Sequence, residues 1–141
     1  MTDDGTLAAL PQLPPPDDLA EAGEAFWVAF TENVTELSPA ARSLLVEVCR
    51  THDAIEALQA EVAGGVMSTG SQGQEIVNPA VLEARNQRAM LHRLLAALSG
   101  AAESGGVKTA RSIAGSQNAE KQWDGKDTEV KREKRLRAQN K

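Results

Sequence analysis

The residues in this chain with the types and spacing for chemistry are its glycines and its cations. The stretch GGVMSTGSQGQEIVNP, Gly64 to Pro79, lies between two helical runs. In such a setting backbone amides can cradle a phosphate. Gly65 and Gly70 match the two glycines of a phosphate-binding loop, but Ser71 stands where that loop needs its lysine. A helix, not a strand, precedes the stretch, so nothing aims the amides, and phosphate-loop chemistry is excluded. The short β-capable runs VMST and EIV flank GSQGQ, whose glycines tolerate positive φ. The stretch therefore reads as a β-hairpin, with an exposed linker as the alternative.

Other catalytic arrangements are not apparent. The two histidines, His52 and His92, are far apart, and no Ser/His/Asp or Cys/His set accompanies either. The carboxylates are spread over solvated helix faces instead of being paired at apolar positions. The single cysteine, Cys49, excludes an intramolecular disulfide and a cysteine-based metal site, and its setting LLVEVCRTHD reads as a small apolar core position. His52 falls on an apolar helical stripe without a second ligand, as expected of a histidine satisfied within an interface. The chain reads as non-enzymatic, with no metal and no cofactor.

The cations are better organised. Arg85, Arg88 and His92 recur at helical spacing, with Arg93 beside them, on a stripe opposite a leucine-rich face. The C-terminal segment adds Lys131, Arg132, Lys134, Arg135, Arg137 and Lys141 against Glu129 and Glu133. Such runs bind phosphate backbones with strong salt dependence and little base specificity, although a charged tail can also serve solubility alone. The chain as a whole carries −5. Residues 1–104 hold 5 Arg and 15 Asp and Glu, a balance of −10, whereas residues 105–141 hold 10 Lys and Arg and 5 Asp and Glu, a balance of +5. An acidic body with a basic end presents that end to a polyanion. Trp123, isolated in this polar stretch, reads either as a partner-docking residue or as incidental.

The elements that must position these residues are helical. Aromatics make up 3% of the chain, tyrosine is absent, and alanine and leucine supply most of the apolar content. That composition suits leucine-rich helix packing, and a core of this size is thin enough to favour oligomerisation. Residues 1–16, with PQLPPP, read as a flexible arm. A first helix is expected over DDLAEAGEAFWVAFTENV, capped by Asp18 with Glu21, with Trp27 beside its apolar stripe. Ser38-Pro39 and Asn78-Pro79 are start signals for two longer helices. In the second helix Leu45, Val48, Ile55 and Val62 form a coiled-coil-like seam, and together with Trp27 they are assigned to an oligomer interface. In the third, Leu91, Leu94, Leu95 and Leu98 share one face, and Gly100 ends it.

The expected fold is mainly α: a short first helix packed on a long antiparallel helical hairpin, with a small β-hairpin between the two long helices. Residues 17–100 form the oligomerisation core and residues 101–141 a disordered basic tail, with a short helix near TEVKREKRLRAQ as the alternative for that stretch. No basic region followed by an apolar run opens the chain, and no apolar run approaches the ~18 residues needed to cross a bilayer. A cytoplasmic protein that does not engage membranes is expected.

The order Cys49, Asp53, Gly65, Thr69-Gly70-Ser71, Gly73 and Asn78-Pro79, followed by a leucine-rich helix, resembles the small subunit of tailed-phage terminases, in particular the group common in actinobacterial phages. The resemblance covers about residues 22–100. It departs at Ala40-Ala41, where members often carry an acidic residue. It implies a non-catalytic component that assembles into rings, binds double-stranded viral DNA in the host cytoplasm, and recruits and regulates the large ATPase-nuclease subunit. Two other readings fit the residues: a protein-only helical adaptor, and a small helix-turn-helix regulator built on the short VTELSP link.

Overall fold

A computed structural model describes residues 13–139, with 123–128 as backbone only. The fold is mainly helical. In chain order the elements are α1 (Glu21–Thr31), β1 (Val34–Leu37), α2 (Pro39–Ala63), β2 (Met67–Thr69), β3 (Glu75–Val77), α3 (Pro79–Ala101), a wide π-helical turn (Ala102–Gly106), β4 (Val107–Thr109) and α4 (Ala110–Gln139). Two compact units result, one ending at Lys108 and the other beginning at Thr109.

The long helices start where the sequence signals them. Ser38 caps α2 by accepting from the Ala41 amide at 3.1 Å, and Pro39 occupies the first turn, where its missing N–H is not needed. Asn78 caps α3 by accepting from the Ala80 amide at 3.0 Å, while its side-chain amide donates to the Gly65 carbonyl at 3.1 Å. One residue thus ties the end of α2 to the beginning of α3.

Between those helices β2 and β3 pair antiparallel, Met67 opposite Val77 and Thr69 opposite Glu75. The turn closes on its own groups. The Gly70 amide donates to the Gln74 carbonyl, the Gly73 amide to the Gly70 carbonyl, and the Gln72 amide to the Gln74 side chain. These amides are consumed internally, and Gly73 takes the positive φ, +80°, that the turn requires.

In the first unit α2 packs most extensively with α3 and next with α1. Trp27, Leu45, Val48 and Cys49 are 0% exposed and Leu98 is 2% exposed, forming one core onto which Phe26, Phe30, Leu91, Leu94 and Leu95 pack. The Trp27 indole N–H donates to the Leu13 carbonyl at 2.9 Å, and the Arg42 guanidinium lies 5.4 Å from the ring centroid. Buried Thr31 and Thr51 satisfy their hydroxyls by donating one turn back, to the Trp27 and Glu47 carbonyls.

Four expectations are corrected. The first helix ends at Thr31, and Val34 begins a strand, β1, that pairs with β4. The Ser38 amide donates to the Gly106 carbonyl at 2.7 Å, and the Thr35 hydroxyl donates to the Lys108 carbonyl at 3.1 Å. The body therefore extends past residue 100 to Lys108. Gly100 does not terminate α3, since the chain runs helically to Ala101 and breaks only at Gly105, with φ +88°. Residues 110–139 form α4 in place of a disordered tail. Thr109 and Ser112 open α4 reciprocally: the Ser112 amide donates to the Thr109 hydroxyl and the Thr109 amide to the Ser112 hydroxyl. Lys, Arg, Glu, Gln and Ala dominate its second half, and these are strong helix formers. Of the expected N-terminal arm, residues 1–12 lie outside the described residues, while Leu13 joins the core.

Candidate functional site

Helix α3 buries Ala80, Ala84 and Leu98 on one face. Arg85, Arg88, His92 and Arg93 are all exposed, so packing of the leucine face directs them outward as a stripe. The one carboxylate of this helix, Glu83, is engaged by the Gln87 amide at 2.7 Å and the Asn86 amide at 3.5 Å. None of the three arginines forms an ion pair among the described residues, where the pairs are Arg50 with Asp18 and Glu47, and Lys108 with Glu36. The stripe is therefore un-neutralised positive charge on a rigid element.

Lys131, Arg132, Lys134, Arg135 and Arg137 are exposed on α4 and form no ion pair among the described residues. A continuous helix spreads them around its axis, so the charge is a sleeve and not a single stripe. Lys141 and the Trp123 side chain lie outside the described residues.

The residues assigned to an oligomer interface are placed differently from the expectation. Trp27, Leu45 and Val48 at 0% exposure and Ile55 at 7% are interior to a single copy, and Val62 is half-buried. Heptad-like spacing cannot distinguish a seam facing a neighbour from one facing the chain's own helices, and here α1 and α3 cover it. Apolar side chains that remain exposed include Val66, Met67 and Val77 on and beside the β-hairpin and Leu82 and Met90 on α3.

Two residues singled out for chemistry have structural settings. Cys49 is a free, fully buried thiol, and burial, with the Asp53 carboxylate nearby, pushes its pKa up to about 11. Such a thiol is a poor nucleophile. His52 stacks on Phe26 at 4.7 Å between centroids, and its Nε2 is buried without a hydrogen-bond partner among the described residues. No group of three or more His, Cys, Asp and Glu among the described residues is arranged to hold a metal ion. None of the described helices is long and apolar enough to cross a membrane.

Sequence reasoning missed the role of Asp53 as a cap. Its carboxylate accepts from the amides of Ala20 at 2.8 Å and Gly23 at 2.6 Å, so α2 supplies the cap for α1. Asp18, the expected cap, instead pairs with Arg50 at 3.0 Å. Gly23 is the available signal: a Cβ there would lie 2.5 Å from Asp53 Oδ2 and 2.7 Å from the Cys49 carbonyl oxygen. A glycine within an apolar helical stripe marks such a close crossing.

Also unforeseen is a groove of about 900 Å³ along α1, walled by Leu13, Pro14 and Pro15 and rimmed by Glu21, Glu24 and Glu32.

No protein-family model, curated protein or solved structure matches this chain.

Proposed function

We propose that this chain is the small subunit of a tailed-phage terminase, a non-catalytic protein that forms rings, binds double-stranded viral DNA and regulates a large ATPase-nuclease subunit. The observation carrying the DNA-binding part is the set of exposed cations on α4, Lys131 to Arg137, on a chain whose remainder is acidic. Charge of this kind contacts phosphates without reading bases, which suits a protein that must hold and pass long duplex. The α3 stripe is a second source of positive charge. Support for assembly comes from the modest core and from the exposed apolar residues of the β-hairpin and α3. In this reading α2 and α3 fold back as an antiparallel pair with the hairpin at their turn.

The terminase reading is favoured over the helix-turn-helix alternative because the link between α1 and α2 carries strand β1 in place of a tight turn. The expected result for the intact protein at micromolar concentration is a discrete assembly well above the 15.0 kDa chain mass by light scattering, together with retention on duplex DNA at physiological salt. A monomer that does not bind DNA overturns the reading. An assembly that ignores DNA but binds an acidic protein supports the helical adaptor.

A further inference from the structure

The groove on α1 and the stripe on α3 are complementary. Along α1, Glu21, Glu24, Ala25, Val28, Ala29 and Glu32 fall three and four residues apart and share one face. Val28 is 52% exposed, Ala25 and Ala29 are exposed, and among the described residues no cation lines the groove. Glu21, Glu24 and Glu32 form no ion pair among the described residues. The face is thus acid, small apolar floor, then acid.

On α3, Arg85, Ala89 and Arg93 are four residues apart in turn, with Leu82, 60% exposed, leading them and Arg88 and His92 alongside. That face is base, small residue, then base. Glu24 to Glu32 and Arg85 to Arg93 are both eight-residue intervals, about 12 Å on a helix at ~1.5 Å per residue. Alanines between the charges on both faces permit close approach of the two helix backbones.

We propose that the acidic groove on α1 receives the cationic face of α3 from a second copy of this chain, with Glu24 and Glu32 opposite Arg85 and Arg93 and Val28 against Ala89. This deepens the ring reading above and rests on it. The two surfaces differ, so the contact is heterologous: each copy offers a groove to one neighbour and a stripe to the other, the geometry that closes rings. A consequence is that the α3 stripe is taken up between copies, leaving DNA to α4.

Charge reversal on each side tests the contact. Glu24→Lys with Glu32→Lys, and separately Arg85→Glu with Arg93→Glu, are expected to lower the assembled mass while keeping the wild-type far-ultraviolet circular dichroism. An equimolar mixture of the two is expected to regain it, because each now carries the partner's complement. The isosteric pair Glu24→Gln and Glu32→Gln is expected to weaken association about tenfold and flatten its salt dependence. Assemblies unchanged by either reversal, or a mixture that stays dissociated, overturn this contact while the ring reading stands. A wild-type protein that is monomeric overturns both.

Discussion

Cys49 illustrates how a single side chain can be reactive by type and inert by place. Its thiol is completely covered, and burial together with Asp53 raises its pKa from 9.0 to about 11. In the unfolded chain the thiol ionises near 9, whereas in the folded chain it stays protonated until about 11. The associated stability is fully present below pH ~9 and disappears as pH rises toward ~11. Denaturant midpoints of the wild type are therefore expected to fall across that window more steeply than those of Cys49→Ala; parallel curves would refute the assignment. That Cys49 is core was legible from its apolar neighbours. The unpartnered Nε2 of His52 was not, because a stripe position says nothing about which atoms surround a ring nitrogen.

At the level of elements, the joint between α1 and α2 depends on Gly23. In an ordinary helix interior, alanine in place of glycine stabilises by up to ~1 kcal/mol. Here the added methyl would meet the Asp53 carboxylate and the Cys49 carbonyl, forcing the helices apart or Asp53 off the α1 amides. Gly23→Ala is expected to destabilise by about 1–3 kcal/mol in a urea titration, and a stabilised variant would overturn the close crossing. The starts of α2 and α3 and both strands of the β-hairpin were readable because their signals are local: Ser38-Pro39, Asn78-Pro79 and the glycines between VMST and EIV. The α1 cap lies 30 or more residues away in α2, and β1 meets β4 across a separation of 72 residues between Glu36 and Lys108. The first pairing leaves only Gly23 as a mark within a sequence window and the second leaves none, so α1 was drawn too long and the body too short. The leucines of α3 and the seam of α2 were found, but which surface they meet is decided by tertiary packing.

For the whole molecule, the decisive property is charge asymmetry. A protein with net charge −5 and pI ≈ 5.1 is repelled by DNA on average, so binding must be concentrated where the sign reverses. Removing residues 126–141 is expected to weaken duplex binding at least about tenfold and to reduce the slope of log affinity against log salt, by ~0.9 for each phosphate no longer neutralised. Unchanged affinity and slope would move the DNA-binding surface to the body. The cationic segments were legible in the sequence by composition alone; the acidic groove opposite them in sign was not, since it needs Leu13 to Pro15 folded beside α1.

The burial of Trp27 has an optical consequence. The chain has two tryptophans and no tyrosine, so replacing Trp123 with phenylalanine leaves one indole to dominate the near-ultraviolet emission. That indole is sealed from water, hydrogen-bonded to the Leu13 carbonyl and faced by Arg42. Its colour and intensity thus report in real time whether the segment entering α1 is seated on the core, giving a label-free view of that junction as copies assemble or part.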